Sequence, residues 1–224
     1  MSERQRIAFY GAGHLGRQIY HHVVAYGSDH VEVLGFIDDT RAAGEPVLDG
    51  RHTLGTLADA ARSAELGPRS IALVFAIGYA DMGLRRVALQ RVLDAGYRLF
   101  TVVHPRAVIE PSAEVGEGCI VLANAVIDQQ VRVGAACFID ISVRLTAGTV
   151  VGRNNYFSSG TSTGSRVVIG DDCFFGMDCT VTTDVKLGNN LFVNAKTLVP
   201  RDVGDNLKLV QVHKSRELPH GSRS

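Results

Sequence analysis

Residues 115–139 read VGEGCIVLANAVIDQQVRVGAACFI. Within this stretch Val115, Val121, Ile127, Val133 and Ile139 stand six positions apart. The series runs on in both directions with no inserted residue: Ile109 before it, then Leu145, Val151, Phe157, Thr163, Ile169, Phe175, Val181, Leu187, Val193 and Val199. Thr163 is its one polar member. Four positions after each key residue stands a small or medium side chain, such as Ala113, Cys119, Ala125, Val131 and Cys137. Glycine often follows the key residue directly, as at Gly116, Gly134, Gly152, Gly170 and Gly188. A period of six matches neither an α-helix nor a simple alternating strand. It is the mark of a hexapeptide β-helix. Each hexad gives a short strand and a turn, and three hexads close one triangular coil. No coil buries its interior alone, so the column becomes a continuous stack. The spacing predicts a left-handed parallel β-helix of about five coils at ~18 residues each, from about Pro105 to Asp202.

Working outward, residues 1–104 have a different grammar. Arg6–Tyr10 reads as a buried strand. Gly11-Ala-Gly13-His14-Leu-Gly16 follows, then a helix from about Arg17 to Tyr26 and a second strand, Val31–Ile37, ending in Asp38-Asp39. Strand, G-x-G-x-x-G, helix, strand and acid suggest a small Rossmann-like βαβ unit. Glycines let the backbone approach a phosphate, and the helix N-terminus offers unpaired N–H groups. An acid ending the second strand can accept sugar hydroxyls. A strand at Ser70–Ile77, a helix near Met82–Ala95 and a strand at Tyr97–Val103 complete the sheet. The unit is too short for a dinucleotide domain plus a substrate domain, and it suits one nucleotide or nucleotide-sugar ligand. The class is therefore α/β plus β-helix: a Rossmann-like acceptor domain over 1–104, a β-helix over 105–205 and a tail over 206–224. Gly221–Ser224 reads as a cloning remnant.

Composition narrows the partners. The 23 basic and 23 acidic residues cancel, which disfavours nucleic acid or an anionic membrane as an electrostatic partner. No apolar run reaches the ~18 residues of a membrane span. The N-terminus enters a strand at once, so the expected location is cytoplasmic. The four cysteines each stand four positions after a key residue and read as small apolar fillers, with no metal expected.

The whole constellation is more specific than either half. It runs Gly-rich βαβ, Phe36-Ile-Asp-Asp39, Gly44-Glu-Pro-Val47, Ala76-Ile-Gly78, the joint His104-Pro105 and then the prism. It resembles the sialic-acid O-acetyltransferase / nucleotide-amino-sugar N-acetyltransferase family (NeuD/PglD type) over nearly the whole chain. The resemblance implies a homotrimer and a nucleotide-sugar or amino-sugar acceptor held near Gly11, Gly13, His14, Gly16, Asp38 and Asp39. It also implies acetyl-CoA or another acyl-CoA in the groove between prisms, near Gly160 and Ser165, and a His on the prism as general base. The segment that carries that His, roughly V-x-(D/E)-H-(D/E)-C-x-I-G, aligns with Arg144–Gly152, where Ala147 takes the His place between Thr146 and Gly148. A second family His falls at Tyr156, and the thioester-carbonyl donor at Ser165. The family's C-terminal Gly-x-Pro-Ala is replaced by Leu209–His213. No His occurs between His104 and His213. Asp140, Tyr156 and Asp178 are the remaining candidates for a base. An amine acceptor tolerates a lost base better than a hydroxyl does, because part of it is already neutral and nucleophilic. The expectation is acyl transfer to a sugar amine by a mechanism without the family His. The alternative is a catalytically silent homologue that binds such a ligand or a partner enzyme.

Overall fold

The computed structural model describes residues 4–27 and 30–211. The first part is a four-stranded parallel sheet built from β1 (Gln5–Tyr10), β2 (Val31–Ile37), β5 (Ala72–Phe75) and β6 (Arg98–Leu99), in the order β2-β1-β5-β6. Helix α1 (His14–Gly27) links β1 to β2. A small hairpin, β3 (Pro46–Leu48) and β4 (Arg51–His52), precedes α2 (Leu57–Arg62), and α3 (Met82–Asp94) links β5 to β6. The strands Ile7–Tyr10 and Ala72–Phe75 are buried throughout. Such near-continuous apolar runs are what a parallel sheet covered on both faces requires.

The second part is a parallel β-solenoid. Its two-residue strands stack into three sheets of seven, six and five strands. Pairing is offset by one coil, as in Ile120↔Phe138 and Val121↔Ile139. The sixfold series lies inside: Val121, Ile127, Val133, Ile139, Leu145 and Val151 are all buried. Phe157 and Phe175 stack face to face with centroids 4.8 Å apart. The polar member is satisfied, because the Thr163 hydroxyl accepts the Thr146 N–H at 3.1 Å and meets the Thr149 hydroxyl at 3.3 Å. The cysteines fill the second interior column. Their thiols donate to carbonyls of a neighbouring coil, Cys119 to Gly134 and Cys137 to Gly152. Among the described residues no cluster of His, Cys, Asp and Glu could hold a metal ion.

The solenoid has about six turns rather than five. Its first strand is Val102–Val103 and its last is Lys208–Leu209, one strand outside the expected bounds on each side. Val103 is the first member of the sixfold series, but it is 45% exposed because no earlier coil covers it. At the other end Leu209 pairs with Val193, only sixteen residues earlier, so a two-residue deletion breaks the period and hides the last strand.

A third column explains how the two parts join. The residue before each key position points outward. On the seven-stranded face it is Val102, Ile120, Phe138, Tyr156, Phe174, Phe192 and, on the last strand, Lys208. The first five are buried among Leu15, Ile19 and Val23 of α1 and Met82 of α3. On the other two faces the same position mixes polar residues such as Arg144, Ser162, Thr180, Glu114, Arg132 and Lys186 with aliphatic ones left exposed, such as Val108, Val150, Val168 and Leu198. One face therefore carries an aromatic-rich apolar column that the α/β part covers.

At the joint, the buried His104 accepts the Arg106 N–H at Nδ1 (3.0 Å) and packs edge-on to Tyr26 (4.3 Å) and His22 (5.5 Å). Burial pushes both imidazoles below the ordinary 6.5. His21 adds to this at His22, and His22 and Arg106 add to it at His104, while the Asp140 charge opposes it at His22. Below pH 6.5 the unfolded chain takes up protons that the folded one refuses. This contribution to stability is therefore full above 6.5 and lost as pH falls toward the folded values. The melting temperature is expected to drop between pH 7 and pH 5, by on the order of 2–4 °C per kcal/mol lost. A His22→Gln, His104→Gln double variant should show a flatter profile, and equal slopes would rule the joint out as the source.

Candidate functional site

Two candidate regions, a sheet edge and a cavity, meet at one loop. The first lies at the C-terminal edge of the sheet. The chain leaves β1 toward β2 on one side and returns at β5 on the other, and this reversal of strand order is where open α/β sheets bind ligands. Gly11 has φ +114, and a Cβ there would lie 2.7 Å from the Ala76 carbonyl oxygen. A Cβ on Gly16 would lie 2.0 Å from the Gly11 oxygen. Both glycines are thus required by close backbone packing. Gly13 and Gly78 are different: an added Cβ meets nothing within 4 Å at either, and neither φ is positive. They sit on the two loops beside the gap, with open space before them. His14 opens α1 and is exposed. Among the described residues no protein acceptor takes the N–H of Gly13 or His14.

The paired acids have separate duties. Asp38 accepts the Ala12 N–H at 2.8 Å and both the N–H and hydroxyl of Thr40. Burial opposes its ionisation, but these bonds and Arg41 outweigh burial and hold its carboxyl below the ordinary carboxylate value. Asp39 accepts from the Tyr10 hydroxyl (2.6 Å), the Leu57 N–H (2.9 Å) and Arg91 (2.8 Å). It ties β1, α2 and α3 together, whereas Asp38 bonds only its own loop and the Gly-rich turn at Ala12, which sets it beside Gly13 and His14. Asp38→Ala removes a charged acceptor, and such bonds are worth about 1.5–3 kcal/mol. Nucleotide-sugar affinity is expected to fall about tenfold or more by calorimetry, with the far-ultraviolet spectrum unchanged. Equal affinity would remove Asp38 from the site.

The second region, a cavity of about 330 Å³, lies between the loop after β5 and the covered face of the solenoid. Tyr156, Phe174 and Phe192 form its floor, Tyr79 its wall, and Asp140, Ser158, Ser159 and Asn194 its polar side. The Tyr79 ring lies 4.7 Å from Phe174 and 4.8 Å from Tyr156. Asp140 accepts the Ile141 N–H at 2.8 Å and the Ser159 hydroxyl at 2.7 Å. Burial, and then the Asp140 charge, raises the Tyr156 phenol far above its ordinary value. Tyr156 therefore keeps its proton at neutral pH: it can donate a hydrogen bond but cannot serve as a base.

Asp140 and Tyr156 thus share one cavity, and Gly160 turns the chain just beyond it with φ +75. Ser165 stands elsewhere. It stacks one coil after Ala147, at the next corner of the prism, where the Arg166 N–H bonds the Ala147 carbonyl and the Asp184 N–H bonds the Ser165 carbonyl. One coil earlier at that corner are Asp128 and Gln129, which accept the N–H groups of Ala147 and Gly148. Asp178 lies on the covered-face side, its carboxylate 2.2 Å from where a Gly160 Cβ would be. Sequence reasoning missed Tyr79 and Arg85. Tyr79 follows the quoted Ala76-Ile-Gly78, but nothing local marks it as a cavity wall, and Arg85 reads as an ordinary helix surface residue.

The family model described as the GMPPB C-terminal domain matches residues 103–208, the solenoid. Solved structures match both parts. The acetyltransferase domain of PglB from Neisseria gonorrhoeae FA1090 is 21% identical, with 92% of this chain and 96% of that one covered and a TM-score of 0.80. It is also known in complex with acetyl coenzyme A. A mutant of perosamine N-acetyltransferase from Caulobacter crescentus, in complex with CoA and GDP-perosamine, is 24% identical, with 90% and 91% covered and a TM-score of 0.78. WeeI from Acinetobacter baumannii AYE is 20% identical, with 92% and 97% covered and a TM-score of 0.80. The chain shares their fold: a β-solenoid behind a small α/β region. No curated protein matches the sequence.

Proposed function

We propose that this protein is an acyl-CoA-dependent acyltransferase that acylates the amine of a nucleotide-linked amino sugar, with acetyl-CoA the first donor to test. The observation that carries the reading is the loop Gly78–Asp81. Gly78 borders the open end of the sheet, where a phosphate would find unpaired N–H groups, and Tyr79 walls the cavity that holds Asp140. A nucleotide-sugar phosphate in the crevice would extend its sugar along that loop. The complexes of the similar structures support both ligand classes, acetyl coenzyme A or CoA on one side and GDP-perosamine on the other.

In this reading the amine nitrogen bonds the thioester carbonyl carbon, the carbon–sulfur bond breaks, and the amine proton leaves to a base as the thiolate departs. Asp140 receives the proton, and the Tyr156 phenol donates to the developing oxyanion. Ser165 lies on another corner of the same chain, so its part in thioester binding requires a neighbouring copy. The proposal accordingly includes a homotrimer, in which one prism's corner faces the next prism's cavity. It places the protein in the cytoplasm, and among the described residues no helix is long and apolar enough to cross a membrane.

A second reading rests on the missing His between His104 and His213: a binding module that keeps the ligand and lacks turnover. A thermal-shift panel of CoA esters and nucleotide sugars, followed by mass spectrometry of each pair that binds, separates the two. A mass gain on the amino sugar equal to one acyl group supports transfer. Binding of both without product supports the module. Binding of neither rejects both.

A further inference from the structure

Arg85, in the first turn of α3, is among the largest side chains wholly withdrawn from solvent. Its guanidinium spans the boundary between the two parts of the chain. Nε donates to the Asn154 side-chain oxygen at 3.0 Å, and one terminal nitrogen donates to the Ala136 carbonyl at 3.0 Å. The other donates to the carbonyl of Ile77. The Phe75 ring lies 4.7 Å from its central carbon and the Tyr156 ring 5.8 Å. Every one of these partners is neutral. Carboxylate charge arrives only through Asn154, whose amide donates to Asp172 at 2.8 Å while Arg86 stands 3.5 Å from the other Asp172 oxygen.

Stability alone does not account for this arrangement. Burying a cation without a paired carboxylate carries a large desolvation cost, and an apolar side chain of similar volume often serves the fold equally well or better. Burial lowers the Arg85 pKa to about 10, so the charge persists at neutral pH and the cost is real. A planar fork does one thing an apolar side chain cannot: it fixes three acceptors from separate segments at set angles. Here those acceptors are Ile77, immediately before the Gly78–Tyr79 loop, and the same solenoid corner on two successive coils. On the second of these coils, Asn154 lies two residues before Tyr156.

We propose that Arg85 is a positioning residue for the transfer, locking the loop after β5 onto the solenoid so that the sheet-edge crevice and the Asp140 cavity keep one fixed separation. The proposal rests on the acyl-transfer reading above. Misplacing reacting groups by about 1 Å can cost on the order of a hundredfold in rate, and Arg85 is the side chain that bonds the Ile77 carbonyl to the solenoid, whereas the neighbouring Arg86 reaches only Asp172, at 3.5 Å.

The test compares wild type, Arg85→Met and Arg85→Lys in three readouts. The Met variant is expected to melt at or above the wild-type temperature and to bind CoA and the nucleotide sugar within about threefold. Its kcat is expected to fall about ten- to a hundredfold, with KM little changed. The Lys variant keeps the charge but not the fork, and it should recover little of that loss. Amide exchange at residues 78–81 should quicken about tenfold in both, while the solenoid interior around 120–139 stays protected. A purely structural role predicts the opposite split, with melting temperature, both affinities and kcat falling together, and that result overturns the proposal. Unchanged kcat with unchanged loop exchange also overturns it. If Arg85→Met does not fold, the Lys variant carries the same comparison. If wild type transfers no acyl group with any tested pair, the transfer reading fails by itself, and loop exchange alone decides whether Arg85 fixes the loop.

Discussion

Phe157→Ala should lower the unfolding free energy by about 3–5 kcal/mol, the range for removing a fully buried aromatic ring. At 2–4 °C per kcal/mol that is a melting shift of roughly 6–20 °C. Phe157 is fully buried at a key position of the sixfold series. It pairs in register with Ile139 on the coil before and Phe175 on the coil after. A solenoid is nearly one-dimensional, so each interior side chain is held by its own coil and the two beside it. Those coils are pinned by continuous parallel ladders on all three faces, so the hole cannot close by shifting one of them. Phe192→Ala is the matched control, because that ring is only half-buried on the outer face and its loss should cost far less. Urea denaturation of both variants checks the pair. A Phe157→Ala cost below about 1 kcal/mol would mean the ring is not a core residue of the kind its burial indicates.

Phe157 also shows why the solenoid could be read from the sequence and the site could not. An interior column repeats because every coil solves the same packing problem with the same residue class. The period therefore survives in the sequence until a coil changes length, and it fails at Leu209 for that reason. Two further regularities were present and unread. The corner residues Asn124, Gln130, Ser142, Asn154, Asp172, Asp178, Asp184 and Asn190 all have φ near +60, and Asn and Asp adopt that left-handed conformation more readily than most residues. The outward aromatics Phe138, Tyr156, Phe174 and Phe192 repeat once per coil and mark the face that the α/β part covers. The site has no such repetition. Asp140 and Tyr156 are candidates through the resemblance, Tyr156 at a family His position and Asp140 just before the expected one, but their common cavity depends on Tyr79, which arrives from the α/β part. Asp39 looked equivalent to Asp38 in the sequence, and only the approach of Tyr10, Leu57 and Arg91 distinguishes it. Arg85 sits on a helix whose apolar residues do not mark a buried face, so nothing local separates it from Arg86. What pairs across a domain boundary is set by docking, and docking leaves no period.

Asp140→Asn is expected to lower acyl-transfer turnover about 10²–10⁴-fold, the usual cost of removing a general base, with acceptor and CoA affinities within a few-fold of wild type. The substitution is nearly isosteric. Its side-chain oxygen can still accept from Ile141 or Ser159, so the corner that Asp140 closes should hold its shape. What the amide cannot do is take a proton from the attacking amine. Ser159→Ala separates orientation from proton transfer: it removes the donor 2.7 Å from the carboxylate while leaving the base, and its effect should be smaller than that of Asp140→Asn. Tyr156→Phe removes a donor that stays protonated, so it should lower the rate without moving the pH profile. A different result would relocate the chemistry. If Asp140→Asn turns over at the wild-type rate and the rate simply follows the acceptor amine's own ionisation, then holding a neutral amine beside the thioester suffices, since proximity alone supplies effective molarities of about 10⁵ M or more. Asp140 would then be a corner residue with no part in proton transfer, and the transfer would need no base on the prism.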